Sequence, residues 1–289
     1  MAKNALEKTF RAFASFGKLL TSIAKIIVLS KKNSPVPVYA GKDIVIMGNG
    51  PSLSGTIRDG KDFFKGKLLF SVNFAAKSPY FTELKPDFHI LADPAFFTEP
   101  KHFGIFETMA ENIQWPLRLF LPASAKKING WMECKRKLES NPNISIGYFN
   151  MTKIAGPAWF MDKATMKGWG GPAPRNVMIP AIALSLRMKC PNIYLAGADH
   201  SWIKDISINE KNEVLLNDKH FYDQDTQGKE VNYKTVKLSQ VLGSISIALH
   251  SYEILDQIAR KHNRHIFNIS PGSFIDAFDR MKLPTENSI

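Results

Sequence analysis

Four apolar runs in this sequence each end in a short polar segment whose side chains are suited to binding a ligand. The runs lead into Gly48-Asn-Gly-Pro-Ser-Leu53, Asn73, Asp93-Pro94 and Gly197-Ala-Asp-His200. In parallel sheets, ligands bind beyond the carboxyl ends of the strands, where loops and helix amino termini meet. We therefore expect these four segments to line one crevice.

The first of these segments has the composition of a nucleotide-binding turn. Gly48 and Gly50 permit a tight turn and the close approach of a phosphate or ribose, and Asn49 offers both a donor and an acceptor. Ser52 is suited to capping the next helix. Leu53 stands at the third glycine of a dinucleotide fingerprint, and no Gly-Lys-Ser/Thr follows, so NAD binding and P-loop ATP hydrolysis are disfavoured. The same turn is also compatible with a purely structural role.

A long polar segment after the fourth run contains the candidate proton acceptor. More than 30 residues rich in Asp, Asn, Lys and Gln separate Ala196 from Thr235, and loops of this length in compact domains are commonly lids. We expect a lid at residues 203–234. The segment contains His220, and histidine is the side-chain type whose ordinary pKa suits general-base chemistry near neutral pH. His200, next to Asp199, is the competing candidate.

Asp223-Gln-Asp225 in the same segment imitates the paired carboxylates that hold a divalent cation in many nucleotide-sugar transferases. The apolar strand expected before such a motif is missing. The prediction is therefore a solvated loop, with no metal site and no cofactor.

The elements that must position these residues alternate between strands and helices. Seven β-rich runs are present: 43–47, 68–72, 88–92, 117–121, 144–149, 192–196 and 265–269. Helical patterns cover 107–113, 125–138, 177–188 and 235–262. Because parallel crossovers need a dozen or more residues, this alternation predicts a mostly parallel sheet with both faces covered. The expected fold is α/β, a Rossmann-like sheet of about seven strands flanked by helices.

Together these motifs resemble the bacterial sialyltransferases of glycosyltransferase family 42. The resemblance rests on Gly48–Leu53, Ser71-Val-Asn73, Asp93-Pro-Ala-Phe-Phe97 and the apolar helix that leads into Ile193–Asp199, and it extends over roughly 42–274. The glycine motif is also similar to that of the related domain in Maf motility proteins and archaeal hydroxymethylpterin pyrophosphokinases.

The resemblance implies a metal-independent, inverting transfer of a sialic-acid-like sugar from a CMP donor, with His220 as base and Tyr222 at the donor phosphate. It implies that Asn49, Gly50 and Ser52 hold CMP, and that the turn containing Ser270, Gly272 and Ser273 closes the nucleotide site. Together with the strand ends, it assigns the following residues to donor binding: Gly48, Asn49, Gly50, Ser52, Asn73, Asp93, Arg175, Asn176, Asp199, Ser270, Gly272 and Ser273.

This chain departs from the family pattern at two places that bear on the donor. Pro174-Arg175-Asn176 replaces a Thr-Ser-Gly, and Asp93 replaces an Asn. An arginine at the first of these places is suited to a bidentate contact with a carboxylate or phosphate.

The charge of this 289-residue chain is concentrated at its start. The first 42 residues carry eight Lys/Arg and one Glu, a net +7 of the chain's total of +12. No basic cluster with interleaved aromatics or reading motif follows, so we expect no nucleic-acid partner. Cys134 and Cys190 form no CxxC pattern, which argues against a disulfide framework or zinc site and fits the cytoplasm.

The basic segment is predicted to form an amphipathic helix over 4–25. One side carries Asn4, Lys8, Arg11, Ser15, Lys18, Ser22 and Lys25, and the other Leu6, Phe10, Phe13, Phe16, Leu20, Ile23 and Ile27. Its lysines exclude a bilayer span, leaving two interpretations: a helix lying on an anionic membrane, or one packed on its own domain or a second subunit. We divide the chain into this arm, 1–33, and a catalytic domain, 42–289.

The sequence thus predicts a glycosyltransferase at the inner face of the cytoplasmic membrane that moves a CMP-activated sugar to a glycan or lipid-linked glycan acceptor. Two alternatives stay open. One is an ATP- and Mg²⁺-dependent pyrophosphokinase-like phosphoryl transferase, and the other is a non-catalytic nucleotide- or glycan-binding assembly factor. Association into a homo-oligomer stays open for each of these functions.

Overall fold

The computed structural model describes residues 2–128, 130–218, 229–233 and 236–283, with side chains in 14–128, 130–216 and 236–283. The described strands are β1 (Ile44–Met47), β2 (Leu68–Val72), β3 (Phe88–Ile90), β4 (Leu117–Pro122), β5 (Ile144–Phe149), β6 (Asn192–Ala196), β7 (Ser207–Ile208), β8 (Val214–Asp218), β9 (Lys229–Tyr233), β10 (His265–Asn268) and β11 (Asp279–Arg280). The helices are α1 (Ala2–Leu29), α2 (Leu53–Asp59), α3 (Lys61–Phe64), α4 (Pro79–Leu84), α5 (Ala95–Thr98), α6 (Gly104–Asn112), α7 (Trp131–Glu139), α8 (Ala158–Lys167), α9 (Met178–Arg187) and α10 (Leu238–Lys261).

The main sheet is parallel and has the strand order β11-β10-β6-β1-β2-β3-β4-β5. The α/β Rossmann-like prediction is confirmed, and all seven predicted strands are present, as β1–β6 and β10. The short eighth strand, β11, was not predicted, because two exposed residues, Asp279 and Arg280, carry no strand pattern.

The order in which strands are added to the sheet changes sides between β1 and β6. Strands β2 to β5 follow on one side of β1, whereas β6, β10 and β11 lie on the other. A crevice opens at such a switch point because the loops after the two neighbouring strands lead to opposite faces of the sheet. The turns at Gly48 and Gly197 therefore face each other.

Both faces of the sheet are covered by helices, as continuous apolar strands require. Ile44 and Ile46 belong to a core with α9 and α10, and Val45 and Met47 to one with α2 on the opposite face. A third core places β4 against α6 and α7. Successive side chains of a strand alternate between the two faces of the sheet, so β1 contributes side chains to the cores on both faces.

Two of the predicted helices that follow the arm needed corrected bounds. The run 125–138 is broken: a 3₁₀ turn spans Ala123–Lys127 and α7 begins only at Trp131, after Gly130 with a φ of 87°. The run 107–113 begins earlier, at Gly104. Helices α9 and α10 lie within the predicted runs 177–188 and 235–262.

The predicted lid contains secondary structure that the sequence analysis missed. Strands β7, β8 and β9 form a separate antiparallel sheet. The segment's candidate residues His220, Tyr222, Asp223 and Asp225 lie outside the described residues.

Helix α1 packs on the body through the second half of its length. Leu19 and Ile26 contact a cluster formed by Ile154 and α8. Ser22 is buried, where its hydroxyl donates to the Ala155 carbonyl at 2.7 Å and accepts from the Ala155 amide at 2.9 Å. One face of the helix thus has an intramolecular partner. Within the described ranges, every helix is too short or too polar to span a bilayer.

Candidate functional site

A cavity of about 560 Å³ lies at the switch point beyond the carboxyl ends of the strands. It is lined by residues from all four segments that the sequence analysis singled out. The predicted binding residues on its wall are Gly48, Asn49, Gly50, Asn73, Asp93, Arg175, Asn176 and Asp199. The position matches the rule that ligands of open α/β sheets bind at the topological switch.

The turns after β1 and β6 are held together so closely that glycine is required. The Gly48 amide donates to the Ala196 carbonyl and the Gly50 amide to the Gly197 carbonyl, both at 2.8 Å. A Cβ at Gly48 would lie 2.4 Å from the Gly197 carbonyl oxygen. These glycines serve backbone contact between two turns, a reason that the sequence analysis did not foresee.

Asp199 holds the turn after β1 through hydrogen bonds to Ser52. Its carboxylate accepts from the Ser52 hydroxyl at 2.9 Å and from the Ser52 amide at 3.3 Å. Only 5% of Asp199 is exposed, and this burial raises the pKa of its carboxyl while the Ser52 hydrogen bonds act in the opposite direction. The expectation that Ser52 caps α2 was wrong: its side chain makes no cap bond, and its backbone has helical angles (φ −72°, ψ −14°) instead of the extended ones of a capping residue.

Asn49 lines the cavity and carries a buried oxygen that lacks a hydrogen-bond partner among the described residues. Its Nδ2 donates to the Val72 carbonyl at 3.3 Å, whereas its buried Oδ1 has no hydrogen-bond partner among the described residues. Leaving a buried carbonyl oxygen unpaired costs free energy, about 1–3 kcal/mol. A buried polar atom without a partner, in a residue at the wall of a cavity, marks Asn49 as a candidate ligand contact.

Asn73 and Asp93 shape the wall formed by β2 and β3. Asn73 adopts a φ of 46°, and its Oδ1 lies 3.5 Å from the Ala92 amide. Exposed Asp93 accepts from the Ala95 amide at 2.9 Å at the start of α5. Both side chains thus fix the local turns, and both also line the cavity.

Arg175 places a positive charge at the wall of the cavity. It is exposed in the turn before α9 and makes no ion pair within the described part of the chain. A guanidinium without a carboxylate partner at the wall of a cavity is suited to binding an anion.

Asn176, Tyr252 and His200 form a hydrogen-bonded row beside Arg175. The Tyr252 hydroxyl donates to Asn176 Oδ1 and lies 2.9 Å from His200 Nε2. Burial lowers the pKa of His200 to about 4, so the ring is uncharged at neutral pH. Sequence reasoning missed Tyr252; its only signal was a hydroxyl in the apolar pattern of α10.

Ser270 and Ser273 support the site rather than line it. The Ala198 amide donates to the Ser270 hydroxyl at 2.8 Å, and the Ser273 hydroxyl donates to the Ala198 carbonyl at 2.6 Å. Gly272, with a φ of 66°, allows the turn that carries both serines. Together they fix the backbone that leads into Asp199.

One further residue borders the site. Trp202 lines the cavity next to His200, with ring centroids 6.1 Å apart. Within the described ranges, no three His, Cys, Asp or Glu side chains are grouped as a metal centre requires.

No protein-family model matches this chain, and no curated protein sequence matches it. Among solved structures, it is similar to a Maf glycosyltransferase from Magnetospirillum magneticum AMB-1, with a TM-score of 0.48, 14% identity and 95% of this chain covered. The match spans only 39% of that longer protein.

Two sialyltransferase structures are also similar. One is CstII from Campylobacter jejuni, in complex with the substrate analogue cytidine-5'-monophosphate: the TM-score is 0.41, the identity 12%, and the match covers 86% of this chain and 88% of that one. The other is a mammalian sialyltransferase, with a TM-score of 0.36, 12% identity and coverage of 86% and 78%. At these identities the similarity concerns the fold.

Proposed function

We propose that this chain is a glycosyltransferase that moves a sialic-acid-like sugar from a CMP-activated donor to a hydroxyl group of a glycan acceptor. The observation that carries the proposal is that one cavity is lined both by Asn49, whose buried Oδ1 has no hydrogen-bond partner among the described residues, and by Arg175, which makes no ion pair among them. A CMP-sugar of this class offers amine and hydroxyl donors on its nucleoside and anions on its phosphate and carboxylate. The resemblance of the strand-end motifs to family 42 supplies the donor class.

The transfer is a single displacement in this proposal. The acceptor oxygen forms a bond to the anomeric carbon while the bond from that carbon to the phosphate oxygen breaks, and the electron pair leaves with CMP. Arg175 stabilises the charge that develops on the phosphate, because a preorganised cation is worth most where charge accumulates. A neutral histidine takes the acceptor proton. The motif resemblance implies His220 for this role, and His200 is the second candidate.

The test is calorimetric titration of the purified protein with CMP, CDP, ATP and ADP, each with and without Mg²⁺. We expect CMP to bind at least tenfold more tightly than the other three, without dependence on Mg²⁺. Addition of CMP-activated sugars and a glycan acceptor should then release CMP. Mg²⁺-dependent preference for ATP would replace the proposal with phosphoryl transfer, and CMP binding without turnover of any donor would favour a binding role.

We further propose that α1 holds the protein on the inner, anionic face of the membrane. Phe16, Leu20, Ile23 and Ile27 recur at helical spacing, and each is between 40% and 75% exposed, although the neighbouring face of the helix packs on the body. Lys18 and Lys25 are exposed on the same helix. An apolar stripe accompanied by lysines suits an interfacial helix.

Two exposed tryptophans near α1 support the proposed contact with the membrane. Trp159 lies in α8, which α1 contacts, and the Trp169 carbonyl accepts from the Ser30 hydroxyl just after α1. They are 57% and 41% exposed. Tryptophan is enriched at membrane interfaces, where its ring lies at the level of the headgroups.

Replacing Leu20 with glutamate should weaken binding to vesicles containing phosphatidylglycerol. Burial of a leucine contributes about 1.5–3 kcal/mol, so we expect cosedimentation to fall about tenfold or more. The matched control is Thr21→Glu, which adds the same charge at an exposed position outside the stripe. Equal losses in the two variants, or no binding by the unmodified protein, would contradict the proposal.

A further inference from the structure

His200 lies where two cavities meet. A second cavity of about 350 Å³ extends between the described start of the predicted lid and α10, with Ile203, Leu216, Val241 and Ile245 on its largely apolar wall. His200, Trp202, Arg175 and Asn176 line both cavities. A donor in the first cavity and an acceptor in the second would therefore meet beside the His200 ring.

The orientation of the Asn176 amide is fixed by backbone donors. Its Oδ1 accepts from the Met178 amide at 3.0 Å and lies 3.4 Å from the Ile179 amide, both in the first turn of α9. The first amides of a helix have no partner within the helix and can only donate. The atom that faces them must consequently be the carbonyl oxygen of Asn176.

This orientation determines the direction of the next hydrogen bond. The Tyr252 hydroxyl is 2.9 Å from Asn176 Oδ1, an acceptor, so Tyr252 donates its proton there. The phenol oxygen is then left as an acceptor for His200 Nε2 at 2.9 Å. Asn176 Nδ2 lies 3.4 Å from the same Nε2, a longer contact between two donors.

His200 is therefore protonated on Nε2, and its Nδ1 carries the lone pair. Nδ1 has no hydrogen-bond partner within the described part of the chain. The residue also adopts a φ of 51°, a left-handed conformation that is strained for a residue with a side chain. Such strain persists where the surrounding structure imposes it, and it is frequent at functional sites.

We propose that Nδ1 of His200 is the general base of the transfer, and that Tyr252 and Asn176 are positioning residues that hold its tautomer. This assignment rests on the proposed function. The acceptor hydroxyl enters from the second cavity, gives its proton to Nδ1 and bonds to the anomeric carbon, while the bond to the CMP phosphate breaks. The imidazolium then returns the proton to the departing phosphate or to water.

The tautomer is measurable without turnover. In ¹⁵N-labelled full-length protein at neutral pH, we expect the His200 ring to show a protonated Nε2 and an unprotonated Nδ1. Signals absent from a His200→Asn variant assign the residue, since asparagine tolerates the left-handed conformation. Tyr252→Phe should leave the protein folded and convert His200 into a mixture of tautomers. A proton on Nδ1 in the unmodified protein would overturn the assignment.

Measurements of turnover then distinguish His200 from His220 as the general base. With a CMP-sugar that the unmodified protein uses, His200→Asn should lower kcat about 10²- to 10⁴-fold, the usual contribution of a general base, while the Kd for CMP changes less than about threefold. Tyr252→Phe should lower kcat less and leave KM for the donor unchanged. A loss confined to a parallel His220→Asn variant overturns the His200 assignment, whereas failure of the unmodified protein with every CMP-sugar overturns the proposed function itself.

Discussion

Replacing Gly50 with alanine should abolish nucleotide binding and destabilise the protein. An added Cβ would lie 1.9 Å from Asp199 Oδ2 and 2.6 Å from the Gly197 carbonyl oxygen. Neither atom is free to move, because the carboxylate holds Ser52 and the Gly197 carbonyl accepts from Gly50 itself. Overpacking at such a site costs about 1–3 kcal/mol of unfolding free energy.

The loss of binding should exceed the loss of stability. Both turns would have to separate, so the donor atoms at the cavity wall would shift, and we expect CMP affinity to fall more than about a hundredfold. Calorimetric titration and thermal unfolding measure the two effects. The matched control is Gly55→Ala in α2, where the nearest atom to a new Cβ is the Arg58 Nη2 at 3.9 Å.

That control should be neutral or slightly stabilising, because alanine is favoured over glycine inside a helix by about 1 kcal/mol. If Gly50→Ala bound CMP as tightly as Gly55→Ala does, the cavity at the switch point would not be the nucleotide site.

Replacing Asn49 with alanine should weaken nucleotide binding while leaving the protein stable. The variant removes a buried oxygen that has no partner and one long hydrogen bond to Val72, so the free energy of unfolding should change by less than about 1 kcal/mol. The lost ligand bond is worth about 1–3 kcal/mol. We expect the Kd for CMP to rise about 10- to 100-fold.

The control is an asparagine whose side chain has a structural role and does not line the cavity. Asn141 donates to the Ala110 and Ile113 carbonyls at 2.8 Å and accepts from the Asn143 amide, with no part in the cavity. Asn141→Ala should therefore lower the melting temperature and preserve CMP affinity. The same pattern in Asn49→Ala would show that Asn49 has a structural role instead.

The main sheet was predictable because its strands are short, apolar and buried on both faces. In β1, Ile44, Val45 and Ile46 are all fully buried, so no polar residue interrupts the run. The elements that escaped prediction are those with weak local signals. Strands β7 and β9 are stabilised by pairing with β8 rather than by their own composition. Gly130 interrupts the predicted helix 125–138, so that α7 begins only at Trp131. A glycine is compatible both with a helix and with a positive φ, and local sequence does not show which of the two it adopts.

The location of the site was also predictable, because parallel strands bring their carboxyl ends to one edge. The roles of individual residues were less so. Ser52 is suited by sequence to a helix cap, yet its hydroxyl donates to Asp199, which is 147 residues away in the chain. Ser270, which the motif resemblance assigns to the nucleotide site, accepts a hydrogen bond from the Ala198 amide, a contact that the sequence does not indicate.

The sequence by itself determined the order of strands and helices, the clustering of polar residues at strand ends and the amphipathic character of the first helix, because these depend on local periodicity. Only the tertiary structure decided the strand order that creates the switch point, the close contact of Gly48 and Gly50 with Gly197, and the row from Asn176 through Tyr252 to His200. Those features depend on distances between residues far apart in the chain. Hydrogen-bond direction and steric contact act over a few ångströms in space, and local sequence does not specify which distant residues come within that range.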